Sequence, residues 1–129
     1  MSNKQRGFTL IELVLVVVIL GSLSVVALPK FIDLSEEAQV SAIKGLAGSI
    51  ESSSGINHAM DIAVEAGVSS DTFQTIDNCN DAGTLLTSNA LPAGYTVAAV
   101  AVADKATVTC TLTHTTSSET ATFVIIGAT

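Results

Sequence analysis

Few residues in this chain carry chemistry, and their spacing limits what kind. There are two histidines, His58 and His114, two cysteines, Cys79 and Cys110, and twelve carboxylates against five lysines and arginines. Nucleophilic catalysis needs a base oriented beside the nucleophile, yet His114 ends a run of threonines with no acid or serine placed near it by spacing. His58, Asp61 and Glu65 lie three and four residues apart on one helical face and could attract a divalent cation; the plainer reading is an exposed, solvated face. Nothing in the spacing singles out a carboxylate pair, a metal set or a cofactor motif, so no enzyme is expected. One acid stands apart. Glu12 is the sole charge between Phe8 and Leu28. A carboxylate near the middle of a membrane span costs ~2.5–3.5 kcal/mol, less near the interface, and is functional by default.

The element that holds Glu12 is the stretch Gly7 to Leu28, GFTLIELVLVVVILGSLSVVAL. At ~1.5 Å per residue it forms a helix of about 30 Å, enough to cross a hydrocarbon core. Lys4 and Arg6 precede it, and Lys30 and then Asp33, Glu36 and Glu37 follow. The positive-inside rule leaves the leader in the cytoplasm and exports everything after Leu28. A cleavable secretory signal would have an apolar core of ~7–15 residues and a small-x-small cleavage site. This run is longer, lacks A-x-A and meets Pro29 where cleavage would fall. A plain signal anchor fits the length but leaves Glu12 unexplained, and no basic residue lies within the span to pair it.

Basic leader, Gly7, then Phe8-Thr9-Leu10-Ile11-Glu12 and a long apolar helix: this resembles the class III signal of type IV pilins and their pseudopilin relatives, in detail over Lys4 to Leu34 and beyond that only in layout. The resemblance implies that a prepilin peptidase at the inner membrane cuts between Gly7 and Phe8, and that the new amino terminus of Phe8 is N-methylated. It also implies an assembly role for Glu12, whose carboxylate would neutralise the terminal amine of a neighbouring subunit. Physically this is consistent, since a buried carboxylate is tolerated when paired and hydrogen-bonded. The resemblance divides the chain into a cleaved leader over 1–7, a transmembrane and filament-core helix over 8–29 and a globular head over 30–129. Its implied partners are identical and related pilin subunits, the prepilin peptidase, the pilus assembly machinery and, before assembly, the inner membrane; the filament would stand at the cell surface.

At 129 residues the chain has room for one small domain beyond the span. The 48% hydrophobic fraction overstates its core, because much of it lies in Phe8 to Leu28 and much of the rest is alanine. Tyr95, Phe31, Phe73 and Phe123 are the only aromatic residues after Leu28. So thin a core usually needs a staple, and an exported pair, Cys79 with Cys110, favours a disulfide over metal binding. Loss of Lys4 and Arg6 with the leader leaves only Lys30, Lys44 and Lys105, scattered, against twelve acids. Nucleic-acid binding leans on clustered basic surface, so direct binding to DNA is not expected.

In chain order, Gly21 and Pro29 bracket the weakest part of the helix, because Pro29 removes the bond to the Val25 carbonyl. An ordinary kink and a stretch that unwinds in the filament both remain open. Val40, Ile43, Leu46, Ala47 and Ile50 then mark an amphipathic helix, continuous with the first, although Asp33 with Glu36 would allow a fresh start. Ser52 to Gly55 could end or bend it. Ile56, Ala59, Met60 and Ala63 resume helical spacing, and Gly67 is placed to cap the end. Val68 to Gly94 reads as a loop tethered by Cys79. Tyr95 to Val102, Ala106 to His114 and Glu119 to Ile126 read as three strands, giving an α+β fold: a long N-terminal helix packed on a C-terminal three-stranded antiparallel sheet. Thr107, Thr109, Thr111 and Thr113 would form its solvated face.

This layout is similar to a type IV pilin head, with one departure. In many such pilins the disulfide closes a loop near the carboxyl end, whereas here the last strand lies outside Cys79 to Cys110, so the receptor-binding role of that loop does not carry over. The first reading is a structural pilus subunit, for adhesion or motility; Gly21 to Leu34, with Pro29-Lys30-Phe31, looks most like mannose-sensitive haemagglutinin pilins. The alternative is a pseudopilin of a type II secretion system, whose major members usually hold the corresponding loop with calcium rather than a disulfide.

Overall fold

A computed structural model describes residues 7–129 of the chain, so the leader bases Lys4 and Arg6 lie outside the described residues. Its first element is a helix, α1, over Leu10–Glu65. The apolar run, the amphipathic segment and the Ser52 to Gly55 stretch are all helical, with neither a fresh start at Asp33 nor a break at Gly55. Pro29 lies inside the helix. In the apolar run the hydroxyls of Ser22 and Ser24 donate to the carbonyls of Ile19 and Leu20 at 2.9 and 2.7 Å, so their polar groups need no water. The helix ends where Gly67 takes φ +67°. The Gly67 N–H donates to the Val64 carbonyl and the Val68 N–H to the Ala63 carbonyl, both at 3.0 Å. This is a Schellman ending, which glycine enters without a Cβ clash.

The chain divides into two units, Met1–Glu37 and Ala38–Thr129. In the described part of the first unit, every large apolar side chain is exposed, from Phe8 at 91% down to Val16 and Ile19 at 49%. Such a face suits lipid or other helices.

The second unit is built on a sheet of β1 (Tyr95–Val97), β2 (Thr107–His114) and β3 (Thr120–Ile126), antiparallel and in sequential order. Register pairs Thr96 with Thr113, Cys110 with Phe123 and Val108 with Ile125. Alternation then sends Cys110, Leu112, Phe123 and Ile125 inward onto Ile43, Ala47 and Ile50 of α1. Thr107, Thr109, Thr111, Thr120 and Thr122 face out and are exposed, as the alternation predicts, while Thr113 is half-buried.

β1 is shorter than the Tyr95 to Val102 read from the sequence, because the chain changes partners. The Cys79 N–H donates to the Val100 carbonyl at 2.9 Å and the Val102 N–H to the Asp77 carbonyl at 2.7 Å. The loop also contains a 3₁₀ turn over Cys79–Leu85 that the sequence reading missed. Asn78 caps it: its side chain accepts from the Asn80 N–H at 3.1 Å, while Asp81 accepts from the Asn78 N–H at 2.9 Å. The Asn78-x-x-Asp81 spacing was the available signal. Cys79 at the start of this turn is bonded to Cys110 in β2, Cα to Cα 5.8 Å, so the tether runs from loop to sheet centre as expected.

Candidate processing and assembly site

Gly7, Phe8 and Thr9 precede α1 and are not helical. The Thr9 hydroxyl donates to Glu12 Oε2 at 2.7 Å and the Thr9 N–H donates to the same oxygen at 2.8 Å. In return, Thr9 Oγ1 accepts from the Glu12 N–H at 3.4 Å. Thr9-x-x-Glu12 is therefore a capping box, in which two of the N–H groups that a helix start leaves unpaired are satisfied reciprocally. The first helical bond follows at once, from the Leu13 N–H to the Thr9 carbonyl at 3.3 Å. The sequence reading gave Glu12 a role only between subunits; its bonding within the chain was legible as Thr-x-x-Glu and was missed.

The four residues Gly7, Phe8, Thr9 and Glu12 line one open notch on the first unit. Both bonds that Thr9 donates fall on Glu12 Oε2, and among the described residues no donor reaches Oε1. Phe8, at 91% exposure, and the peptide bond joining it to Gly7 stand clear of the helix. Gly21 and Pro29 both lie within continuous helix, and a Cβ built at Gly21 meets nothing within 4 Å. Cys79 and Cys110 form the disulfide already described.

In the second unit, the reading of His58, Asp61 and Glu65 as one solvated face is corrected. Asp61 is fully buried, and neither of its carboxylate oxygens has a hydrogen-bond partner among the described residues. His58 Nδ1 lies 3.9 Å away, beyond hydrogen-bond distance. Glu65 turns elsewhere, to Lys105, whose ammonium donates to Oε1 at 2.7 Å. That bond is the main cause that holds the Lys105 ammonium above its ordinary pKa. Among the described residues no three His, Cys, Asp or Glu side chains gather where a metal could sit.

The face itself had been placed wrongly. From Ser54 onward the buried positions are Ser54, Asn57 and Asp61, while Ile56 and Ile62 are exposed. Backbone demand explains two of the three. Ser54 Oγ accepts from the Ile126 N–H at 2.8 Å, and Asn57 bonds both backbone groups of Gln74, at 2.7 and 2.8 Å.

His114 also has a neighbour that spacing did not suggest. Ser117 Oγ lies 2.7 Å from its Nδ1, and the Ser117 N–H donates to the same nitrogen at 3.3 Å. The ring also packs against Tyr95, centroids 5.0 Å apart. With the Ser117 N–H and hydroxyl both on Nδ1, the pair closes the β2–β3 turn.

The comparisons with known proteins fall largely on the same N-terminal segment. Residues 2–28 match the family described as the prokaryotic N-terminal methylation motif. The chain is 41% identical over 49 residues to the type IV narrow pilus major component PilA5 of Thermus thermophilus, covering 38% of this chain and 42% of that protein. It is 46% identical over 55 residues to a fimbrial protein of Moraxella nonliquefaciens, covering 43% and 36%. To the type IV major pilin protein PilE1 of Neisseria gonorrhoeae it is 54% identical over 41 residues, covering 32% and 25%. The matched segments thus span from a quarter to about two fifths of these curated relatives. No solved structure matches. Motif and relatives together support a relationship to the type IV pilins.

Proposed function

We propose that this chain is a structural subunit of a type IV pilus, made as a membrane-anchored precursor and polymerised through its N-terminal helix into a surface filament. The observation that carries the reading is Gly7-Phe8 standing outside a helix whose large apolar side chains are exposed throughout the described part of its unit, within the matched methylation motif. In this reading a prepilin peptidase removes residues 1–7, Phe8 becomes the N-methylated terminus, and Glu12 pairs with the Phe8 amine of the next subunit. Other copies of the chain, related pilins, the assembly machinery and the inner membrane are then its partners. Residues 8–29 serve as the membrane and filament-core helix, and residues 30–129 as the head.

The relatives' names speak for a pilus component, and the Cys79–Cys110 bond speaks against the secretion-system alternative. The finer assignment, a mannose-sensitive haemagglutinin-type pilin serving adhesion or motility, rests on Pro29-Lys30-Phe31 and its surroundings. Mass spectrometry of filaments sheared from the native cell surface tests the whole reading. The expected species is this chain beginning at a methylated Phe8; a different first residue, or absence from the filaments, would refute it.

A further inference from the structure

The turn between β2 and β3, residues 115–118, is held by a histidine used as an acceptor. The Ser117 N–H donates to His114 Nδ1 at 3.3 Å, and Ser117 Oγ lies 2.7 Å from the same nitrogen. A ring nitrogen accepts only while it carries no proton, so this geometry requires the neutral imidazole with its proton on Nε2. We propose that the β2–β3 turn is an acid-sensitive device: when His114 takes up a second proton, Nδ1 stops accepting the Ser117 N–H and the turn opens. The proposal goes beyond the pilus reading and does not depend on it.

What the ring holds is a turn under strain. Ser118 takes φ +59°, in the left-handed region that residues other than glycine rarely enter. Two backbone bonds keep the turn closed around it, from the Ser118 N–H to the His114 carbonyl at 2.9 Å and from the His114 N–H to the Glu119 carbonyl at 2.8 Å. The bond to Nδ1 is the third. A protonated Nδ1 could still donate to Ser117 Oγ, but it would set its own N–H against that of Ser117, which is left without a partner. The Thr115 N–H and hydroxyl both donate to the Gly94 carbonyl, at 2.8 and 3.2 Å, so the turn is also tied to the chain entering β1.

The titratable groups beside the ring do not offset the added charge. From β1, Tyr95 packs on it, and from the β3 side Glu119 meets His114 through its backbone carbonyl. Among the described residues no carboxylate of α1, of the loops or of the sheet comes within ion-pair distance of His114. Histidine changes charge between about pH 5 and 8. The closed turn needs the neutral ring and the unfolded chain does not, so the unfolded chain takes up the proton more readily. The contribution of the bond is therefore present on the neutral side and lost as pH falls through that range.

Nuclear magnetic resonance of the full-length chain in detergent micelles tests this, with the unvaried protein beside His114→Asn, whose amide oxygen can replace Nδ1 as acceptor and does not titrate. At about pH 7.5 the imidazole nitrogen shifts are expected to place the proton on Nε2, with the Ser117 amide protected from exchange. At about pH 5 that protection, taken relative to the unstructured rate at the same pH, is expected to fall about tenfold, the order for loss of one backbone hydrogen bond. The fall should follow the titration of the His114 ring, and in His114→Asn the protection should be equal at both pH values. A proton on Nδ1 at the higher pH, protection that stays level while the ring titrates, or an equal fall in His114→Asn would each overturn the proposal. The first two are read on the unvaried chain and decide the matter even where the variant does not fold.

Discussion

Ser54, in the last quarter of the long helix, accepts a hydrogen bond at 2.8 Å from the backbone N–H of Ile126 at the end of the last strand. One turn earlier, Glu51 accepts from the Val124 N–H at 2.9 Å, and beyond the strand Ile76 and Ala128 exchange backbone bonds at 2.8 and 3.2 Å. β3 is an edge strand, and an open edge is a template for unwanted pairing. Here the helix and the loop close it.

Ser54→Val should therefore destabilise the head although it makes a buried position more apolar. It leaves the Ile126 N–H without a partner, at a cost of about 1–3 kcal/mol. For a body of this size that is a fall of roughly 4–8 °C per kcal/mol. Thermal unfolding of the detergent-solubilised chain reads it, and an unchanged midpoint would show that the N–H finds another acceptor.

This face of the helix also shows where sequence reading stopped. Strand alternation gave the inward set Cys110, Leu112, Phe123 and Ile125, and period-3.6 spacing gave Ile43, Ala47 and Ile50, because those positions are buried for being apolar. Ser54 and Asn57 are buried because a strand edge and a loop need donors and acceptors, and that need exists only once the tertiary partners are in place. Their apolar neighbours Ile56 and Ala59 were placed on the apolar stripe for the same reason and are exposed. In the notch, Gly7, Phe8 and Glu12 were legible, and the bonding role of Thr9 could have been read from Thr-x-x-Glu.

Asp61→Asn should stabilise the head. The carboxylate is fully buried without a hydrogen-bond partner among the described residues, and His58 at 3.9 Å is too far to pair with it closely. A carboxyl group buried without a hydrogen-bond partner costs more than a buried amide of the same shape. The expected gain is of the order of 1 kcal/mol, seen as a higher unfolding midpoint. A lower midpoint would mean that Asp61 is paired in solution.

Gly127→Ala should do the opposite. A Cβ built at Gly127 runs into the carbonyl of Ala103, a backbone atom that cannot swing aside. The adjoining Lys105 N–H to Gly127 carbonyl bond, at 3.1 Å, ties the same two segments together. A loss of about 1–3 kcal/mol is expected, as for overpacking elsewhere, and a wild-type midpoint in chemical denaturation would show that the two segments can separate at no cost.

Reduction of Cys79–Cys110 should lower stability by ~3–4 kcal/mol in the chain-entropy model for a separation of 31 residues. That is a large share for a head whose only fully buried aromatic side chain among the described residues is Phe123. Thiol titration with and without reductant, followed by thermal unfolding, measures it. Free thiols before reduction, or no shift after it, would remove the disulfide from the account of stability.

The last prediction concerns Gly21 and Pro29. Both lie in unbroken helix in the isolated chain, as a bilayer would require, since backbone groups there must be satisfied within the segment. The helix is nonetheless weak at these points, because in a helix interior glycine costs ~1 and proline ~3 kcal/mol relative to alanine. The hydroxyls of Ser22 and Ser24 already bond the carbonyls of Ile19 and Leu20, a pattern that loosens and bends helices. In a filament, neighbouring helices replace lipid, and close packing can offset the loss of a few helical bonds. We propose that residues 21–29 then extend, while a single membrane-embedded subunit stays helical. Gly21→Ala with Pro29→Ala should straighten the segment and change subunit rise or the extensibility of the pilus under load, with insertion and leader removal unaffected. A filament map of the unvaried protein with continuous helix from Leu10 through Lys30 would rule out the extension and leave only a proline kink.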